Sequence, residues 1–149
     1  MAGTVELREI TQDTLRDVLS LSVAPEQEEY VAPNARSIAE AHFEPHAWFR
    51  AVCADDAPVG FVMAYRDPPE TFWIWRFMID AAHQGKGYGR RALELLVDEA
   101  RKDGVDVVKL SFHPGEHSPQ EFYVRHGFEP TGEVEHDEVV MALPVGSRA

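Results

Sequence analysis

A single cysteine, Cys53, leaves the chain without an internal disulfide. Its apolar neighbours Val52 and Ala54 mark it as a buried, inert thiol rather than a nucleophile. Long apolar runs are missing too. No stretch approaches the ~20 residues needed to cross a bilayer, and Met1 to Glu9 shows no basic segment leading into an apolar one. Neither a membrane span nor a secretory signal is expected, and the cytoplasm is the expected compartment. Positive charge is scarce: 14 Lys and Arg stand against 26 Asp and Glu, for a formal net charge of −12. That disfavours nucleic acid as a main partner, because phosphate binding needs clustered cations. It suits a cationic small molecule, although solubility alone explains most acidic surfaces. Repeats, low-complexity tracts and linkers are absent. What is present is 149 residues with 44% apolar content, enough for one well-filled domain and too few for two.

Along the chain, Val5 and Leu7 alternate with Glu6 and Arg8 and predict a half-buried first strand. Thr11 is the N-cap of a helix to about Leu21; Ile10 and Leu15 are spaced as a hydrophobic staple, and Val18 and Leu19 continue its stripe. An acidic connection over 25–33 contains Glu26, Glu28 and Glu29 and leads into a second helix from Asn34 through Ala41, stopping before Pro45. Trp48 to Cys53 and Val59 to Tyr65 form a predicted hairpin around a turn at 55–58, and Thr71 to Ile79 is a third strand of that group. A glycine-rich segment then opens a helix to about Asp103, with Leu93, Leu96, Val97 and Ala100 on one face and Gly104 as its cap. Val105 to Phe112 is a buried strand. Ser118 as N-cap, Pro119 first and Glu121 third start a short helix that Gly127 ends. Phe128 to Val134 and Val139 to Leu143 close the chain as a hairpin around 135–137, and 144–149 read as a loose tail. The order β-α-α-β-β-β-α-β-α-β-β is that of a mixed α/β sandwich, and the crossover helix should join parallel strands.

The glycine segment Gln84-Gly85-Lys86-Gly87-Tyr88-Gly89 lies between a strand end and a helix start. There, free N–H groups and the helix dipole favour an anion. Gly85, Gly87 and Gly89 permit close backbone approach, and Lys86 and Arg90 add charge at the rim. The Walker A pattern fails because no Gly-Lys-Ser/Thr follows. The dinucleotide fingerprint fails on spacing. By itself the segment predicts only an anion site.

Taken with its surroundings, the segment resembles the Q/R-x-x-G-x-G/A signature of the GNAT N-acetyltransferases. Phe77-Met78-Ile79-Asp80 is similar to the strand before that signature, and Tyr123-Val124-Arg125-His126-Gly127-Phe128 to the family's Y-x-x-x-G-F block. The N-terminal fragments Val31 to Asn34, Val59 to Met63 and Trp75 to Ile79, with the ending Thr131 to Glu133 and Glu138 to Met141, resemble the diamine/spermidine branch. The resemblance implies the GNAT fold: a mostly antiparallel sheet, a parallel pair around the cofactor site and helices on both faces. It implies acetyl-CoA as cosubstrate and a small-molecule primary amine as acceptor, with a polyamine as the finer expectation. Other acceptors (an antibiotic, an amino acid, a protein amine) and a non-catalytic acyl-CoA-binding module are the alternatives. Small enzymes of this family often dimerise, so a homodimer is within expectation, although no segment specifies an interface.

By the same resemblance, backbone N–H groups of Gln84, Gly85, Lys86, Gly87, Tyr88, Gly89 and Arg90 hold the CoA pyrophosphate, and Phe77, Met78 and Ile79 pair with pantetheine. A backbone N–H of that strand polarises the thioester carbonyl, and Tyr123 protonates the departing thiolate as general acid. Glu116 stands where the family often has an Asn that contacts pantetheine. An alkyl ammonium with a pKa near ~10 must lose a proton before it can attack, and the base is left open among Glu28, Glu29, Glu70 and Asp80, with Glu133 and Glu135 behind them. Glu28, Glu29 and Glu133 are also the candidates for the distal charges of a polyamine. His83, His113 and His117 match no usual zinc spacing, so no metal is expected. Trp48, Trp73 and Trp75 are expected in packing, with one of them lining the acceptor slot.

Overall fold

A two-residue turn with both aspartates in the left-handed region, Asp55 at φ 50 and Asp56 at φ 74, fixes the register of the first long hairpin. The turn is tighter than the sequence suggests, so Ala57 and Pro58 already belong to the second strand. The computed structural model describes residues 4–146. Its elements are β1 (Val5–Arg8), α1 (Gln12–Ser20), a 3₁₀ turn (Pro25–Tyr30), α2 (Asn34–Ala41), β2 (Ala47–Ala54), β3 (Ala57–Asp67), β4 (Thr71–Ile79), a second 3₁₀ turn (Ala81–His83), α3 (Tyr88–Lys102), β5 (Val107–Phe112), α4 (Gln120–Arg125), β6 (Glu129–Glu135) and β7 (Glu138–Pro144). The predicted order of strands and helices is the observed one.

The strands form one sheet in the order β1-β2-β3-β4-β5-β7-β6. The β4–β5 ladder is parallel, as the α3 crossover requires, and the other ladders are antiparallel. Both faces are covered. On one, Val18 of α1 and Ile38 and Ala41 of α2 pack on Ala51, Cys53, Phe61, Met63 and Met78. On the other, the predicted stripe Leu93, Leu96, Val97 and Ala100 of α3 packs with Tyr123 of α4 on Val62, Ala64, Ile74, Val108 and Leu110. Cys53 is a buried free thiol, and burial raises its pKa. Among the described residues no helix is long and apolar enough to cross a membrane.

Three local expectations need correcting. Leu15 (38% exposed) and Leu19 (44%) stay off the core that buries Val18, because the nine-residue helix α1 touches the sheet along one narrow line. What anchors α1 is polar: the buried Asn34 side chain donates from Nδ2 to the Val18 carbonyl at 2.9 Å, joining the start of α2 to α1. Helix α4 starts at Gln120 with Pro119 at its cap position, one residue later than expected, while the Ser118 hydroxyl still accepts from the Gln120 N–H at 3.4 Å. The tail is not loose through 146. Pro144 ends β7, the buried Val145 joins the core, and the N–H groups of Val145 and Gly146 donate to the Asp106 carbonyl. Residues 147–149 of the expected tail lie outside the described residues.

One ion pair fastens the crossover helix to the sheet. Arg66, at the end of β3, donates from Nε and Nη2 to the Asp103 carboxylate at 2.8 and 2.5 Å and from Nη1 to Glu99 at 3.1 Å. Its guanidinium lies 4.8 Å from the Trp48 ring centroid. The hydrogen bonds to Asp103 lead in holding its pKa above the ordinary value. The Asp103 side chain is 9% exposed and that of Arg66 16%, so losing one partner strands a poorly hydrated charge. Arg66→Met is expected to lower the unfolding free energy by about 3 kcal/mol, the lower end for a buried pair, measured by denaturant titration; a change under about 0.5 kcal/mol would place this pair with weak surface bridges.

Candidate active site

The site begins with an irregularity in β4. Its register with β3 steps from Met63↔Arg76 to Ala64↔Ile74, so Trp75 is an extra residue. Such a bulge re-aims side chains: Trp75 packs against the cluster under α1 and α2, and the next residue, Arg76, reaches the same side to bond Glu40 of α2 at 2.7 Å. Phe77 returns to the α3 side. The parallel ladder to β5 covers Trp73↔Lys109 and Ile74↔Leu110. Past those pairs the two strands diverge, and a cleft of about 890 Å³ opens between Trp75–Ile79 and Leu110–Phe112. It is open to both faces of the sheet, because its walls include Val23, Gln27, Tyr30 and Val31 from the α1–α2 side and Phe122, Tyr123 and His126 from the α4 side.

At one end of this cleft lies the glycine turn. Gly85 and Gly87 sit at φ 81 and 86, where a Cβ would be strained. This conformation lets the chain turn from β4 into α3. The N–H groups of residues 85–90 meet no protein acceptor among the described residues, so they and the positive end of α3 are available to an anion. Gly85, Gly87, Tyr88, Gly89 and Arg90 line the cleft, whereas Lys86 is exposed beside it. The Gln84 side chain also reaches the lining, but as a brace: its Nε2 donates to the Ile79 carbonyl and to Gln27 Oε1, both at 2.9 Å.

Tyr123 enters from α4 between the two halves of the cleft. It is 5% exposed, with the rings of Phe77, Phe112, Phe122 and Phe128 at centroid distances of 6.2, 6.5, 5.2 and 5.4 Å. Burial raises its phenol pKa well above the ordinary value. Its hydroxyl has no hydrogen-bond partner among the described residues, and the residue lines the cleft. A phenol so placed stays protonated at any physiological pH. It is a weaker acid than free tyrosine, yet a thiolate forming in the same apolar surroundings is destabilised by the same desolvation and is correspondingly a stronger base.

Other expected site residues are placed elsewhere. Met78 lines the cleft while packing under α1. Glu116 is exposed and outside the lining. Glu28 and Glu29 are exposed on the 3₁₀ turn whose Gln27 and Tyr30 do line the cleft, so they stand at its rim. Glu133 is exposed on β6, 3.6 Å from Lys109 Nζ. Asp80 accepts from the Ser22 and Ala82 N–H groups and serves the backbone. Trp75 is the tryptophan in the lining, and the described residues hold no cluster able to bind a metal. Missed from the sequence were Arg76, Ser111 and Glu138. Ser111 was discoverable as the one hydroxyl between the buried Leu110 and Phe112. Arg76 has its Nε buried without a partner, and desolvation leads in lowering its pKa.

Residues 4–128 match the family model described as the acetyltransferase (GNAT) family. The chain belongs to the GNAT family. Over 91 residues it is 33% identical to an L-2,4-diaminobutyric acid acetyltransferase from Streptomyces avermitilis, covering 56% of this chain and 51% of that protein. Over 81 residues it is 28% identical to a ribosomal protein bS18 alanine N-acetyltransferase from Escherichia coli, covering 48% and 55%. The matches thus span about half the length of these curated relatives. Its fold is shared with a PaiA N-acetyltransferase from Thermoplasma acidophilum solved with coenzyme A, at TM-score 0.68 and 17% identity over 95% of this chain and 99% of that one. The GNAT cosubstrate, acetyl-CoA, suits this cleft: unpaired N–H groups face one end, and an apolar slot beside an unpaired strand edge forms the middle.

Two expectations follow. Gly87→Val forces a branched side chain to φ 86, so CoA affinity, read by calorimetry, should fall at least tenfold, while the stability cost stays near ~2 kcal/mol; unchanged affinity would remove this turn from the CoA site. For Tyr123, the raised folded pKa means the folded chain keeps a proton that the unfolded chain loses above ~10. Its contribution is complete below that pH and is lost as pH rises further. Stability should therefore fall less steeply between pH 10 and 11.5 in Tyr123→Phe than in the native chain, by chemical denaturation at each pH.

Proposed function

We propose that this chain transfers the acetyl group of acetyl-CoA to the primary amine of a small molecule, by direct attack within a ternary complex. The observation that carries this reading is that Tyr123 lines the same cleft as the glycine turn and the diverging strands β4 and β5, with no hydrogen-bond partner for its hydroxyl among the described residues. The glycine turn would hold the pyrophosphate, the free edge of β4 over Phe77, Met78 and Ile79 would pair with the pantetheine arm, and Tyr123 would protonate the sulfur as it leaves. An acyl-CoA-binding module has no use for that last group.

For the acceptor, the resemblance to the diamine/spermidine branch favours a di- or polyamine. The acidic rim at Glu28 and Glu29 supports it as a landing place for a distal ammonium. A second reading is favoured by Arg76, a cation in the cleft wall of an otherwise acidic protein. An amine that also bears a carboxylate, as does the diaminobutyric acid named for the Streptomyces relative, would suit that residue.

Thiol release from acetyl-CoA with spermidine, putrescine, 2,4-diaminobutyrate and an alanyl peptide separates these readings. Turnover with at least one amine is expected, and Tyr123→Phe should cut kcat about 100-fold with CoA affinity kept. A full rate in Tyr123→Phe would remove it as the acid, and preference for the peptide would exclude both small-amine readings.

A further inference from the structure

The α1–α2 side of the cleft carries a second set of polar groups, on the opposite side of the sheet from α4. Ser111 lines the cleft from β5, flanked by Leu110 and Phe112, which face α3 and α4. Its Oγ donates to Glu138 Oε1 at 2.6 Å, across the β5–β7 ladder. Glu138 Oε2 lies 3.4 Å from His113 Nε2, and the Glu138 side chain is 31% exposed while His113 is 54% exposed. The charged groups facing Glu138 are thus His113 just past β5, Arg76 of β4 through space, and Glu135 of β6 directly opposite. Arg76 is itself paired with Glu40.

Three other carboxylates near the cleft are occupied. Glu40 is shared between Arg76 and Arg36, and Glu94 between Arg90 and Arg91. Asp80 accepts two backbone N–H groups. Glu138 has no Lys or Arg within salt-bridge distance among the described residues. It also has what the exposed Glu28, Glu29 and Glu133 lack, a hydroxyl relay into the cleft.

We infer that Glu138, acting through Ser111, is the base that removes the proton from the acceptor ammonium; this rests on the acetyl-transfer reading above. The ammonium donates an N–H to Ser111 Oγ. Its proton moves to Oγ as the Ser111 proton moves to Glu138 Oε1, leaving a neutral amine with a free lone pair. The N–C bond then forms and the C–S bond breaks. The second proton lost by nitrogen passes to the Tyr123 oxygen and replaces the one Tyr123 delivers to sulfur, and the net product proton leaves from Glu138 to solvent beside His113. Acid and base thus stand on opposite sides of the sheet, with the reacting carbonyl in the gap between.

The test is the rate loss in Glu138→Gln and Ser111→Ala, assayed at about pH 8.5, for two matched acceptors: whichever amine the native chain turns over, which stays largely protonated there, and its β,β-difluoro analogue, whose weaker basicity leaves it largely neutral. A loss of about 100-fold in kcat is expected for the ordinary amine and under about threefold for the fluorinated one, with CoA affinity unchanged and Ser111→Thr recovering most of the rate. Equal losses for both amines, or none, overturn the inference, because a merely structural pair would slow both alike. No thiol release by the native chain with any amine overturns instead the acetyl-transfer reading on which the inference rests.

Discussion

Beyond Ile74 and Leu110 the parallel pair at the centre of the sheet comes apart, and everything the site contains is arranged around that separation. Parallel strands normally hold their ladder because each unpaired N–H or carbonyl in a dry interior costs free energy. Here the extra residue Trp75 steps β4 out of regular register with β3, and the unpaired edge faces a cleft where a ligand can satisfy it. The divergence breaks the continuity of the core and makes the sheet permeable: one molecule can approach from the α3–α4 face and another from the α1–α2 face.

Each side of the gap has its own electrostatic character. On the α3–α4 side, a buried phenol is enclosed by four phenylalanines beside a turn of free N–H groups. This environment favours neutral forms in its interior and an anion only at its mouth. On the α1–α2 side, Arg76, Glu40, Ser111 and Glu138 form a polar group at intermediate exposure with the exposed His113 beside it, where protons can reach solvent. The proposed reaction, which gives a proton to sulfur and takes one from nitrogen, would use both environments.

Much of this was legible in the chain. Local rules located the helix starts at Asn34 and the glycine turn, the helical stripe from Leu93 to Ala100 and the two hairpins, because capping, periodicity and positive φ act over a few residues. Where such rules failed, tertiary burial decided: Leu15 lost its expected contact because α1 meets the sheet on one line, and Val145 was drawn into the core that a tail reading had left it outside. Glu116 and Glu133 were chosen for type and position in a pattern, and neither reaches the cleft lining.

The sequence by itself determined the order of elements, the glycine turn and the family, since these depend on short motifs and their spacing along the chain. Only the tertiary structure decided which polar groups face the gap. Arg76 and Ser111 are separated by 34 intervening residues and joined by a parallel crossover, and Glu138 arrives from a third strand through an antiparallel ladder. No local pattern encodes that meeting: it depends on the bulge at Trp75 and on the register of three strands, and so exists only once the sheet has formed.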